Sequence, residues 1–199
     1  SIKAAEETQN LMLMGISAQS YAQYLNTVGE TESAISYAKK AIEYYEKANT
    51  PFIMLGLDGI LVSQLHTQMG DFLAAKECAK KGLNILNESG MGAHRVAHLS
   101  ALGTSIFELG EEQSGLELIE EAIEEAKKTG EIGPEGLARA TWGHYYGRAN
   151  PSEWQKAEES ILTGMRILEG LELKGYIPRV NLLAGKMLIY VGPLDKAKG

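Results

Sequence analysis

Two histidines four residues apart, His94 and His98, form the first pair in this chain whose spacing invites chemistry. On a helix that spacing turns both imidazoles to one side, where they could share a metal ion. The residues between them are Arg95, Val96 and Ala97, so the general-base glutamate of the zinc metalloprotease motif is missing. No cysteine or carboxylate is tied to them by spacing, which favours an exposed or interfacial pair over a metal site. Cys78 is the single cysteine. It excludes an internal disulfide, as suits a reducing compartment, and its place beside Ala79 suits a packed thiol. Phosphate loop, Gly-x-Ser-x-Gly elbow and Cys–His motif are all missing. The 22 glycines fall at helix ends and helix crossings instead. No catalytic residue, metal or cofactor is assigned.

Charge narrows the choice further. The chain of 199 residues carries a net charge of −7, and its pI is near 5.2. Nucleic-acid surfaces need clustered Lys and Arg, so a nucleic-acid partner is not expected. No stretch approaches the roughly 18 apolar residues that span a bilayer, and Leu11 to Ile16 is broken by Gly15. No membrane partner is expected, and the location expected is the cytoplasm. The run Glu111 to Glu125 holds seven glutamates, with Lys127 and Lys128 after it. Acid early and base late on one helix complements its dipole, which makes this a solvated face; a ridge for a basic partner is the alternative.

What the remaining polar side chains can do depends on the elements that carry them, and those elements repeat. Gly29, Gly70, Gly110, Asn150 and Gly192 recur at intervals of 41, 40, 40 and 42 residues. Seven residues before each stands a small residue: Ala22, Ser63, Gly103, Gly143 and Gly185. Another follows five later at Ala34, Ala75, Gly115 and Ala197, and seven later at Ala157, after a two-residue insertion. A fixed period of this length marks a solenoid, whose units stack on their neighbours and seldom carry catalytic machinery.

Residues 51–90 show what one unit contains. Thr50 can cap and Pro51 is tolerated in a first turn. Ile53, Leu57, Ile60, Leu61 and Leu65 follow helical spacing until Gly70. Asp71 caps a second helix whose face is Phe72, Ala75, Ala79, Leu83 and Leu86, and Glu88-Ser89-Gly90 ends it. Ser63 and Ala75 are expected where the two helices cross, and Ala38, Ala41, Ala79 and Gly82 where one unit meets the next. Leu25, His66, Ile106, Tyr146 and Leu188, each four before a loop mark, are expected to fill the space beside them. His66 is read as a core histidine with one hydrogen bond.

These offsets resemble the tetratricopeptide repeat over nearly the whole chain. The likeness rests on the pairs Tyr21-Ala22, Val62-Ser63, Leu102-Gly103 and Trp142-Gly143, the loop glycine and the alanine after it. The period exceeds the family's usual one by six to eight residues. That points to the long-repeat branch, similar to the helical domain of the bacterial maltose-regulon activator. Ser152-Glu153-Trp154-Gln155-Lys156-Ala157-Glu158-Glu159 and Gly175-Tyr176-Ile177-Pro178 are also similar to repeats that trail large bacterial nucleotide-cyclase and ATPase proteins. The implied fold is all-α, a right-handed superhelical solenoid of antiparallel helix pairs. Full units are expected at 9–49, 50–90, 91–131 and 132–175, with a stub at 1–8 and a partial unit at 176–199. Neither terminal helix has a polar outer face, so the chain is expected to be a piece of a larger protein that can self-associate through its ends.

In stacks of this kind the first helices line a concave groove. Its residues are expected six and two before each loop mark: Gln23, Gln64, Thr104, His144 and Lys186, then Thr27, Gln68, Glu108, Arg148 and Tyr190. Amides and hydroxyls suit a peptide backbone or a polar ligand. Later the stripe gains His144, Arg148, Arg179 and Lys186, which favour an acidic partner. The expected function is a non-enzymatic protein- or peptide-binding regulatory or scaffold module of a larger bacterial signalling protein. A small-molecule sensor with a pocket lined by Trp142, Tyr145, Tyr146 and Tyr190 is the alternative, and a self-associating scaffold a third. A wet surface with no ligand of its own would leave the stripe without a role.

Overall fold

The computed structural model describes residues 10–49, 52–89 and 94–191. Among these residues are nine α-helices and no strand. They are α1 (Leu11–Thr27), α2 (Thr31–Lys47), α3 (Phe52–Gln68), α4 (Phe72–Ser89), α5 (Arg95–Glu108), α6 (Glu112–Thr129), α7 (Ile132–Ala149), α8 (Trp154–Gly170) and α9 (Ile177–Val191). Short 3-10 turns, Pro151–Glu153 and Lys174–Tyr176, precede α8 and α9. The chain divides into two compact units, Ser1–Ala101 and Leu102–Gly199, with the division inside α5. No helix among the described residues is long and apolar enough to cross a membrane.

The loop marks are helix stops with one shared mechanism. Gly29, Gly70 and Gly110 have φ of 86°, 77° and 94°, a left-handed conformation that costs a residue with a Cβ about 1–2 kcal/mol. In each case the next N–H reaches back over the turn. Glu30 donates to the Leu25 carbonyl at 2.9 Å, Asp71 to His66 at 2.9 Å and Glu111 to Ile106 at 3.2 Å. This is the Schellman closure, which satisfies carbonyls left over at a helix end. Asn150 departs from it, with φ −128°, and a 3-10 turn follows. The two-residue insertion in that unit is this turn.

The small residues let first and second helices touch backbone to backbone. In the first unit Ser63 donates its hydroxyl to the Ala75 carbonyl at 2.9 Å, and both residues are fully buried. In the second, a Cβ on Gly103 would lie 2.6 Å from the Gly115 carbonyl oxygen, and one on Gly143 2.5 Å from that of Ala157. Large residues pack round these crossings. Ala22, Leu25, Ala34, Ile35, Ala38, Leu61, Val62 and Leu65 form one cluster. Ala140, Ala157, Ile161, Leu168, Val180, Met187 and Leu188 form another. His66 is partly buried, with its Nδ1 3.4 Å from an Asp71 oxygen, while Asp71 also accepts from the Ala74 N–H at 3.1 Å.

Of the histidine pair, His98 is interfacial, while His94 stands outside the helix. His94 has φ 69° and precedes α5, so the two rings do not share a helix face. His98 is fully buried against Gly82, where a side chain would collide with the imidazole. Glycine at that position makes the room for it. Cys78 is half-buried, and burial pushes its thiol up. The acidic run is a solvated face of α6: Lys127 pairs with Glu124 at 2.6 Å, and Gln113 donates to Glu117 at 2.9 Å. The stub at 1–8, the Thr50-Pro51 start, the Gly90 stop, the Gly192 mark and Ala197 lie outside the described residues.

Candidate functional site

Glu108 and Arg148 stand at the same place in consecutive repeats, two residues before Gly110 and Asn150. Stacking therefore brings the ends of α5 and α7 side by side within the second unit, and the two charges meet. Arg148 forks onto the carboxylate, with its two terminal nitrogens 2.5 and 3.2 Å from the two oxygens. Three rings surround the guanidinium: Phe107 at 5.1 Å, Tyr145 at 5.2 Å and Tyr190 at 5.5 Å. Tyr145 is buried and packs on Phe107 at 4.8 Å. Glu108 and Thr104 lie near enough to the Tyr145 hydroxyl to act on it.

This packing sets the charges. Burial works to raise Glu108, but the Arg148 hydrogen bonds and charge outweigh it and hold the carboxyl below its ordinary range. The same contact raises Arg148. Burial first, and the Glu108 carboxylate second, push the Tyr145 phenol up. His144, next to Tyr145 and only 4% exposed, places Nδ1 3.2 Å from the Leu183 carbonyl oxygen on α9. Burial and then the Arg148 charge, with Lys186 adding to them, bring its pKa down to about 4. At neutral pH the site holds a neutral imidazole beside a paired arginine.

Seven of the eleven residues picked from the sequence belong to this unit. Thr104, Glu108, His144, Arg148 and Tyr190 form one contact network. Lys186, exposed on α9, lies near enough to act on His144. Arg179, also exposed as a residue, has its guanidinium crowded enough that desolvation works to lower it, against the influence of Tyr145 and Tyr176. Gln23, Thr27, Gln64 and Gln68 belong to the other compact unit. No hydrogen bond links those four to one another among the described residues, and Thr27 bonds back to the Tyr24 carbonyl at 2.6 Å. Two expectations change. Arg148 forks to a carboxylate of its own chain, and His144 is not a fourth cation.

The four aromatics proposed to enclose a small molecule do not gather. Tyr145 and Tyr190 flank Arg148. Trp142 stacks on Tyr146 at 4.3 Å and donates its indole N–H to Glu120 at 2.9 Å, with the Lys156 ammonium 4.4 Å above the Tyr146 ring. That second set borders a cleft of about 390 Å³ between α6, α7 and α8. Its rim mixes Glu120, Glu124 and Glu159 with Lys127, Arg139 and Lys156. Phe107, whose ring lies against Arg148, is not among the residues picked from the sequence. A signal for it was available, since it precedes Glu108 and its counterpart one repeat on is Gly147.

No family model matches the chain, and no curated protein matches it in sequence. Solved structures do. A Rap protein complexed with Competence and Sporulation Factor superposes with a TM-score of 0.76 at 16% identity, over 91% of this chain and 50% of that one. The apo form of RapI superposes with a TM-score of 0.62 at 15% identity, over 92% of this chain and 66% of that one. The chain thus spans half of the first structure's length and about two thirds of the second's. At such identities the likeness speaks to fold alone. That fold is an all-α, tetratricopeptide-like solenoid of antiparallel helix pairs.

Proposed function

We propose that this chain is a non-enzymatic protein- or peptide-binding module that regulates or scaffolds a larger bacterial cytoplasmic signalling protein. The partner docks on the second unit, along the first helices α5, α7 and α9, and presents an acidic group there. The observation that carries this reading is the charge set on α7 and α9. Arg148, Arg179 and Lys186 stand on these two helices in a chain that is otherwise acidic, and of the three Arg148 pairs with Glu108. A Rap protein of the same fold is complexed with Competence and Sporulation Factor, which supports a binding role by analogy. The longer solved neighbours suit a module within a larger chain, and the long period suits the branch that includes the maltose-regulon activator's helical domain. Self-association through the exposed Leu13 and Tyr24 of α1, or Leu182 and Ile189 of α9, belongs to the same proposal.

A peptide-display selection tests it, with wild type and an Arg148→Ala, Lys186→Ala double variant as baits. Wild type is expected to enrich acidic peptides, the double variant to lose them, and added salt to weaken the enrichment. Equal enrichment by both baits, or selection of basic peptides, would sink the reading.

A further inference from the structure

His144 uses half of its hydrogen-bonding capacity within the described residues. Its single hydrogen bond among the described residues runs from Nδ1 to the Leu183 carbonyl. A carbonyl only accepts, so Nδ1 carries the proton in that contact. The ring is also held neutral by its surroundings. Against a second proton stand its burial, Arg148 on α7 and Lys186 on α9; Glu108 on α5 and the Leu183 carbonyl favour one, and lose. A neutral ring protonated at Nδ1 presents a lone pair at Nε2. That nitrogen has no partner among the described residues, yet it is not one of their sealed-off polar atoms. A site rich in cations therefore contains one unused acceptor.

We propose that the second-unit site recognises an acid together with an adjacent N–H or O–H donor, as an acylated amino acid or peptide offers, the acid meeting Lys186 and Arg148 and the donor meeting His144 Nε2. This rests on the acidic-partner reading above and narrows it. Arg148 has five N–H donors, and the fork to Glu108 occupies two. The others can serve a second carboxylate without breaking the internal pair. An acid lacking a neighbouring donor would turn its own lone pairs toward that of Nε2, which repels it. His144 then selects for the proton the ligand brings, and the cations select for charge.

Two small probes separate these parts. N-acetylglycine and N-acetylsarcosine share a carboxylate and an acetyl group, but the second has a methyl where the first has its amide hydrogen. The full chain is titrated with each, and the imidazole nitrogens of His144 are followed by NMR. N-acetylglycine is expected to bind roughly 3–10-fold more tightly, the worth of one hydrogen bond, and to shift the Nε2 resonance of the wild type. His144→Phe is expected to equalise the two probes, whereas Lys186→Ala weakens both alike. Equal binding to wild type overturns the inference and leaves the acidic-partner reading standing. Binding that tightens from about pH 8 to about pH 6 with proton uptake also overturns it, because the ring would then act as a cation. If neither probe binds, the underlying reading fails as well.

Discussion

Replacing Gly143 with leucine, beside the same change at Gly170, isolates the helix crossing on which the repeat depends. A Cβ at position 143 would stand 2.5 Å from the Ala157 carbonyl oxygen and 2.7 Å from Ile161 Cγ1. Carbon and oxygen normally approach to about 3.3–3.6 Å, so α7 and α8 would have to part by roughly 0.8 Å at this point. The obstacle is backbone at the narrowest place and a branched side chain next to it, and neither swings away. Overpacking of this kind costs about 1–3 kcal/mol, and the three carbons beyond Cβ place leucine at the top of that range or above it. Gly170 closes α8 with nothing within 4 Å of its Cβ position. There the substitution gains up to about 0.8 kcal/mol of helix propensity. The variants should therefore differ by about 2–4 kcal/mol. At about 2–4 °C per kcal/mol for a chain of this size, their melting points separate by roughly 4–16 °C. Far-UV circular dichroism on the two variants and the wild type reads this directly. If Gly143→Leu melts with the wild type, or both variants shift alike, the crossing is not where the repeat register puts it.

Other expectations follow from the turns and the charge cluster. Gly110→Ala places a Cβ in a left-handed turn with open space around it, so urea titration should show a loss of about 1–2 kcal/mol from backbone strain alone, and Gly110→Asn a smaller one. Arg148→Ala removes the group that depresses Glu108; NMR titration should find that carboxyl raised relative to wild type. Because the folded value is depressed, the pair stabilises wild type above the unfolded carboxyl's pKa and ceases to as pH falls through the folded one, a contribution of about 1 kcal/mol or less after solvent screening. His144 is held near 4, below the unfolded value of about 6.5. The unfolded chain then binds the extra proton first, so stability falls as pH drops from about 6.5 to about 4, by up to about 3 kcal/mol. Chemical denaturation across that range should show the slope in wild type and lose it in His144→Gln; an unchanged slope in the variant would trace it to other groups.

The hairpins were legible because their hardest steps admit few residue types. A left-handed stop asks for glycine, and a backbone-to-backbone crossing excludes side chains, so both leave marks in a bare sequence. Ser63 fits this rule only with its hydroxyl spent on the Ala75 carbonyl. His94 was misread because helical spacing was assumed across it, where φ is 69°. The site was half legible. Offsets from the loop marks picked out Glu108, His144 and Arg148, yet treated each as a separate surface group. Opposite charges at one offset in adjacent repeats imply a pair, and that inference needed the stacking of α5 on α7 to be taken literally. The burial of His144 was beyond reach, since it depends on where α9 places the Leu183 carbonyl.

α7 is the helix at which the repeat is least regular. It is covered on nearly every side: Gly136 and Gly143 face α8, Gly147 faces Met187 of α9, and Trp142 faces Glu120 of α6. A helix enclosed this way usually carries apolar residues throughout, but this one also buries Thr141 and His144. Each bonds a carbonyl, Thr141 that of Leu137 at 2.9 Å and His144 that of Leu183 through Nδ1. Its end is also different. In place of a left-handed glycine, Asn150 returns both its backbone N–H and its side-chain amide to the Tyr146 carbonyl, at 2.8 and 3.2 Å. Tyr146 in turn donates its hydroxyl to Glu153 and carries Lys156 on its ring. The helix that presents Arg148 is thus held by side-chain bonds on one face and by glycine-tight packing on the others. Its charged end is positioned before any partner arrives, so little ordering cost attaches to that half of the contact. Lys186 and Tyr190 lie on the exposed side of α9. A partner that bridges Arg148 to Lys186 would order those exposed side chains against a helix that is already fixed.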